Sequence, residues 1–143
     1  LDQIARYQNK ISGPLLDRID LQVQVSAITK HQLLSQETTS KDETNQQIQS
    51  RVCAARYLQI ERQGKINADL NSQELQEVCP LNKEQKSLMN QAIDQFALST
   101  RGFYRVLKVA RSLADLEKVN YPEMPHYQEA LSYRPTMDRR TGG

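Results

Sequence analysis

The sequence predicts a mainly helical protein in which one short strand precedes four or five helices. After residue 42, apolar residues recur at spacings of three and four, which is the period of an amphipathic helix. Before that point, Ile19, Leu21, Val23 and Val25 alternate with polar residues, which is the period of a half-buried strand. We therefore expect a helical body with a single strand ahead of it.

Composition bounds the class of protein. The 143 residues are 38% hydrophobic and include no tryptophan, so the size permits one ordinary domain with a modest core. The formal net charge of +2 is too small to indicate nucleic-acid binding by itself. No apolar run reaches the roughly 18 residues of a membrane span, and we expect no signal peptide. Cys53 and Cys79 form no C-x-x-C pair, so we expect reduced, partly buried thiols in a cytoplasmic protein.

The first elements surround an arginine. Residues 1–11 have the apolar spacing of a helix end, and Ser12–Pro14 predict entry into a short helical turn. This turn presents Arg18 directly before the predicted strand 19–25. A polar connector, 29–44, is the expected boundary between two structural units. On its pattern alone, Arg18 is most simply a solubilising surface charge.

Local signals divide the remainder into helices. The first helix begins near Glu43, has an apolar face of Ile48, Val52, Ala55 and Leu58, and stops at Gly64. A short capped helix follows at Ser72. Asn82 precedes the third helix, and Ser99 is a suitable N-cap for the fourth. The last helix is expected over 126–134, and residues 137–143 are expected to be disordered.

Several kinds of site are excluded by motif. The pair Gly64-Lys65 is followed by Ile66, where a P-loop needs a hydroxyl for the metal, and no acidic apolar strand resembles a Walker B segment. The chain is therefore not expected to bind ATP and magnesium by itself. His31 and His126 have no partner at ligand spacing, so no metal site is expected.

The fourth helix carries basic residues beside an apolar stripe, which consists of Phe103, Val106, Leu107, Ala110, Leu113 and Ala114. Arg101 lies in the first turn, where the helix dipole disfavours a cation. An arginine there is well placed to act with the free backbone amides on a phosphate. A solvated basic face explains Arg105 and Lys108 equally well.

Two separated motifs in a fixed order then point to a family. The segments GPLLDRIDLQVQV and STRGFYRVLKVARSLADL, with RQGKINADL and HYQEALSYR, resemble the C-terminal part of magnesium-chelatase-like AAA+ ATPases of the ComM type. The resemblance covers most of the chain. It extends more distantly to the ATPase subunit of magnesium chelatase and to minichromosome-maintenance helicases.

The resemblance implies an architecture. In such proteins an α/β nucleotide-binding core precedes a helical lid, and ATP lies between the subunits of a ring, often a hexamer. Residues 1–27 would be the end of the core, 28–41 a linker, 42–136 the lid and 137–143 a tail. Because the chain starts at Leu1 within an apparently helical segment, we expect Walker A, Walker B and sensor 1 upstream. This piece alone is then expected to be inactive and to bind neither ATP nor magnesium.

The resemblance also implies roles for single residues. Arg18 matches the arginine finger, which acts in trans on the γ-phosphate held by the neighbouring subunit. Asp17 and Asp20 either orient that side chain or cap the turn. Arg101 matches sensor 2, which reports loss of the γ-phosphate as lid movement. Related families differ in which lid arginine does this, which leaves two further candidates, Arg105 and Arg111.

For the parent protein the resemblance implies an ATP-driven DNA motor, a helicase or branch-migration factor acting in competence and recombination. One alternative is a chelatase-type remodeller of a metal-insertion partner. A stand-alone helical interaction module is the other. DNA stimulation of the ATPase separates the first two, and an upstream P-loop excludes the third.

Overall fold

The computed structural model describes residues 18–27 and 43–134, which contain five α-helices and one 3-10 turn at Asn67–Asp69. The helices are α1 (Asn45–Gln63), α2 (Ser72–Val78), α3 (Lys83–Phe96), α4 (Thr100–Leu116) and α5 (Met124–Ser132). The mainly helical fold class is thus confirmed for this part of the chain. The predictions for residues 1–17, 28–42 and 137–143 lie outside the described residues.

Polar caps fix where the helices begin. Asn82 accepts a hydrogen bond from the Gln85 amide in a reciprocal capping box, and Ser99 accepts one from the Gly102 amide at 3.0 Å. Gly64 ends α1 in the left-handed region with φ 73°, as predicted. The second helix is capped by Asn71, one residue earlier than the sequence indicated.

The last helix differs slightly from its prediction. It begins at Met124 and ends at Ser132, so both of its ends lie before the expected 126–134. Its N-cap is Glu123, whose amide donates to His126 Nδ1 at 2.8 Å.

The core forms around α4. This helix packs against α1, α2, α5 and the 3-10 turn, while α3 packs against α5. The stripe predicted on α4 is confirmed, because Val106, Leu107, Ala110 and Ala114 are all buried. The buried apolar cluster as a whole consists of Leu70, Leu75, Cys79, Met89, Ala92, Val106, Leu107, Ala110, Tyr127, Ala130 and Leu131.

Helix α1 meets this core only through its C-terminal part. Of the apolar face predicted for it, Ala55 is buried but Ile48 and Val52 are 40% and 46% exposed. Cys53 is exposed as well, so the expectation of a partly buried thiol is wrong for Cys53 and correct for Cys79. The reason is that residues 45–53 are all exposed and burial begins only at residue 54.

The strand predicted over 19–25 is not formed within the described residues. The segment contacts the end of α5, where the Gln22 amide donates to the Tyr133 carbonyl at 3.0 Å. Its four alternating apolar side chains are 40% to 86% exposed. A strand needs a neighbouring strand for its backbone groups, and the described part of the chain offers none.

Candidate functional site

The first turn of α4 contains an exposed arginine, Arg101. Arg101 is the second residue of α4, which begins at Thr100 after the Ser99 cap. Within residues 18–27 and 43–134 its side chain makes no hydrogen bond or ion pair. Its donors are therefore available to an anion at the end of the helix where the dipole favours one.

One turn later, Arg105 is already engaged. Its Nη1 lies 2.6 Å from Asp20 Oδ1, and the same nitrogen donates to the backbone carbonyl of Arg18. The side chains of Arg105 and Asp20 are 24% and 58% exposed. Asp20, one of the two aspartates considered for orienting the Arg18 side chain or capping the turn, thus pairs with Arg105, and α4 holds the turn itself. Asp17 lies outside the described residues.

The same turn is also held from the end of α5. Arg134 Nη1 donates to the Ile19 carbonyl at 3.1 Å, next to the bond between Gln22 and Tyr133. Arg18 is exposed, and no contact of its side chain occurs within the described ranges. The backbone of the turn is thus hydrogen-bonded by the side chains of Arg105 and Arg134, whereas the side chain of Arg18 is exposed.

Arg111, the other candidate on α4, has a different environment. Its side chain is 1% exposed and donates to the carbonyls of Asn120 and Val119 at 2.7 Å and 2.9 Å. Lys118, with φ 59°, turns the chain back after α4, and the Val119 amide bonds to the Ala114 carbonyl. Arg111 therefore closes the end of its own helix and offers no surface to a phosphate.

Arg111 belongs to a buried ionic cluster centred on Asp115. The Asp115 carboxylate accepts from Arg111 Nη2 at 2.7 Å, from Arg62 Nη1 at 2.6 Å and from Asn67 Nδ2 at 2.8 Å. Burial favours the neutral acid, but the hydrogen bonds from Arg62, Asn67 and Arg111 outweigh it and hold the Asp115 pKa below its ordinary value. The cluster ties α1 and the 3-10 turn to α4.

This cluster was not predicted from the sequence. A usable signal was the pair Arg111 and Asp115, four residues apart on a helix whose stripe was otherwise apolar. The segment RQGKINADL, which carries Arg62 and Asn67, entered only as part of the resemblance.

The remaining titratable groups indicate no metal centre. His126 Nε2 lies 3.1 Å from Glu117 Oε2, so its ring joins two polar partners at the start of α5. Among the described residues, no three His, Cys, Asp or Glu side chains are grouped so that they could hold a metal ion. No described helix is long and apolar enough to cross a membrane. His31 lies outside the described ranges.

These features define a small α-helical domain with a buried ionic cluster and an edge of accessible arginines. The chain belongs to the family described as magnesium chelatase, subunit ChlI, C-terminal, whose family model matches residues 42–134. The model for magnesium chelatase, subunit ChlI, matches residues 1–33. The resemblance inferred from the sequence motifs is thereby confirmed.

Curated proteins agree with this assignment. The chain is 42% identical over 132 residues to the competence protein ComM of Haemophilus influenzae, an alignment of 92% of this chain and 26% of that protein. It is 38% identical over 133 residues to the protein YifB of Escherichia coli, covering 93% and 26% of the two chains. The protein Rv2897c of Mycobacterium tuberculosis is 36% identical over 140 residues, with 94% and 27% covered. The chain thus spans about a quarter of the length of these relatives.

Proposed function

We propose that this chain is the C-terminal part of a ring-forming AAA+ ATPase and supplies arginines to an ATP site between subunits. The observation that carries the proposal is the contact between Arg105 and the backbone of Arg18. Because Arg101 lies one turn before Arg105 on the same face of α4, this contact brings two exposed guanidinium groups to one edge of the domain.

The available groups fit a polyphosphate. Arg18 and Arg101 are both exposed, and neither is paired with an acidic side chain in the described ranges. A guanidinium presents several donors in a plane and binds phosphate oxygens in pairs. The chain has no P-loop, so the phosphate cradle and the magnesium ligands must come from the α/β core of the parent.

Each arginine takes a distinct role in this proposal. ATP with its magnesium ion supplies the phosphoryl group, held mainly by the core. Arg18 reaches it from the neighbouring subunit and places positive charge where the phosphoryl group accumulates negative charge, an effect worth about 10³ to 10⁵ in rate in other NTPases. Arg101 contacts the phosphates as sensor 2 and moves with α4 when the γ-phosphate is lost.

The same proposal divides the chain. Residues 1–27 form the end of the core, 28–41 a linker and 42–136 the lid. The two family models, which match 1–33 and 42–134, support this division.

For the whole protein we propose an ATP-driven DNA motor, a helicase or branch-migration factor of the cytoplasm that works as a homo-hexamer. The name of the Haemophilus relative, a competence protein, supports this role. A chelatase-type remodeller of a metal-insertion partner is the second candidate, supported by the family description. DNA that stimulates the ATPase of the full-length ring favours the motor, and an ATPase indifferent to DNA favours the remodeller.

Arg18→Ala in the full-length protein tests the site. We expect ATP hydrolysis to fall by about 10³ while ATP affinity stays unchanged, because the finger acts after binding and from the next subunit. Arg51→Ala, which removes an exposed arginine paired with Glu43 on α1, is the matched control and should hydrolyse ATP normally. Loss of ATP binding in an intact ring, or undiminished hydrolysis, would contradict the assignment.

A further inference from the structure

Arg105 occupies the junction between the two arginines proposed to contact phosphate. We propose that Arg105 is a positioning residue, which fixes the turn of Arg18 against α4 and so sets the position from which Arg18 reaches the phosphates held by the neighbouring subunit. This inference rests on the proposed function. It replaces the hypothesis that Arg105 is itself a sensor.

The contacts of Arg105 support positioning. It binds the turn through a backbone carbonyl at Arg18 and through the carboxylate of Asp20, on either side of Ile19. A contact to a carbonyl constrains the main chain and leaves the Arg18 side chain free to extend. The positive charge of Arg105 is offset by Asp20 at 2.6 Å, so its attraction for a phosphate is weaker than that of Arg101.

The surroundings of Arg105 allow it to be changed without unfolding the domain. It lies at the edge of the bundle, away from the buried cluster of Arg111 and Asp115. Arg134 continues to hold the Ile19 carbonyl when Arg105 is removed. Removal should therefore loosen the turn rather than release the whole segment.

Hydrogen exchange in the 143-residue chain tests the clamp without nucleotide. In Arg105→Ala we expect the Gln22 amide, which donates to the Tyr133 carbonyl, to exchange about threefold faster or more, because local opening of the turn becomes easier. The midpoint of thermal unfolding should stay within about 2 °C of the wild type, as for a surface substitution. Unchanged exchange of the Gln22 amide would overturn the proposal.

Lys108→Ala is the matched control. Lys108 lies on the next turn of α4 and carries the same charge; it borders the same cavity as Asp20, but its hydrogen bond goes elsewhere, to the Ala68 carbonyl at 2.6 Å. This variant should leave exchange of the Gln22 amide unchanged. An equal acceleration in both variants would show an effect of charge and would overturn the positioning role.

A double-mutant cycle in the full-length protein tests the consequence. We expect Arg105→Ala to lower kcat for ATP by about tenfold with KM within twofold, since Arg105 acts through the finger and not on binding. Added to Arg18→Ala, it should lower kcat no further, because the group it positions is already gone. Multiplying losses, or a raised KM, would show direct phosphate contact and sink the proposal.

Two conservative variants guard against a trivial loss of folding. Asp20→Asn weakens the clamp from the other side without touching the bundle and should lower kcat in the same direction by less. Arg105→Lys keeps the charge on a shorter side chain and should recover part of the activity. If Asp20→Asn leaves kcat unchanged and Arg105→Lys recovers no activity, the positioning role is wrong.

Failure of this inference can be told from failure of the proposed function. Full hydrolysis in Arg18→Ala would show that Arg18 is not the arginine finger and would contradict the proposed function. An inactive Arg18→Ala beside a fully active Arg105→Ala would remove only the positioning role.

Discussion

The two ends of α4 hold arginines in opposite surroundings. At the N-terminal end, Arg101 is exposed and without a partner in the described ranges, and Arg105 is partly exposed at the edge. At the C-terminal end, Arg111 is 1% exposed and is bound by an aspartate and by backbone carbonyls. One helix thus uses the same residue type once for a surface that can receive an anion and once for the interior.

The difference shows what burial demands of a guanidinium. A buried cation is tolerated only when its charge is paired and most of its donors are used. Arg111 meets this through its two Nη atoms, which bind Asp115, Val119 and Asn120, while its buried Nε has no hydrogen-bond partner. Because both Nη atoms are bonded and the side chain is buried, Arg111 cannot bind a phosphate. The exposed arginines are solvated and contribute little to stability, so their positions are free to serve binding.

Substitution of Arg111 is expected to have the largest effect on stability. Arg111→Ala leaves the carbonyls of Val119 and Asn120 without their donor and removes one cation from Asp115, so we expect a loss of about 3–5 kcal/mol in the free energy of unfolding. Urea denaturation of the 143-residue chain measures it. A loss below about 1 kcal/mol would place Arg111 among ordinary surface residues.

Cys79 gives an independent measurement of the same change. Burial raises the pKa of its thiol to about 12, so it reacts with a thiol reagent only when the core opens. In a Cys53→Ser background, which removes the exposed thiol, Arg111→Ala should speed labelling of Cys79 by about 10² or more, since each 1.4 kcal/mol is tenfold. Equal labelling rates in both proteins would contradict a structural role for Arg111.

The stability that Asp115 contributes is expected to depend on pH. Because its pKa is lowered in the folded state, its contribution to stability is present above the ordinary aspartate pKa near 4 and is lost as the pH falls through the lowered value. Asp115→Asn lacks this contribution, so it should be less stable at pH 7 by about 1–3 kcal/mol. The difference from the wild type should shrink progressively below about pH 4.

Denaturation curves from pH 7 down to pH 2.5 or so, at constant ionic strength, follow that difference. Glu43→Gln is the control, since Glu43 pairs with Arg51 on the exposed face of α1 and should change stability by less than about 1 kcal/mol at any pH. A gap between wild type and Asp115→Asn that stays constant with pH would show that the charge of Asp115 is not what matters.

How far the fold follows from sequence depends on how local each signal is. The caps at Asn82 and Ser99 and the stop at Gly64 are set by neighbouring residues, and all three were predicted. The strand predicted over 19–25 is not formed among the described residues, because alternation describes side chains whereas a strand also needs a partner strand. Burial along α1 was missed for a similar reason, since residues 45–53 have the right period but extend past the core.

The candidate site divides in the same way. The exposure of Arg101 follows from its place on α4 outside the apolar stripe, and the period of the sequence indicates it. The burial of Arg111 depends on the backbone after α4, where Lys118 adopts a left-handed conformation without the glycine that signals it. The contact between Arg105 and Arg18 joins segments far apart in the chain, so no spacing rule could reveal it.

The smallest effect on stability is expected at the N-terminal end of α4, at Arg101. Arg101→Ala should change the free energy of unfolding by no more than about 0.5 kcal/mol, because the side chain is exposed and removes no partner from the core. The same substitution in the full-length protein should weaken ATP affinity or uncouple hydrolysis from lid movement. A stable variant with altered nucleotide response would place Arg101 in the ATP site, whereas unchanged ATPase would exclude it as sensor 2. A loss near that of Arg111→Ala would mean that both ends of the helix serve the fold alone.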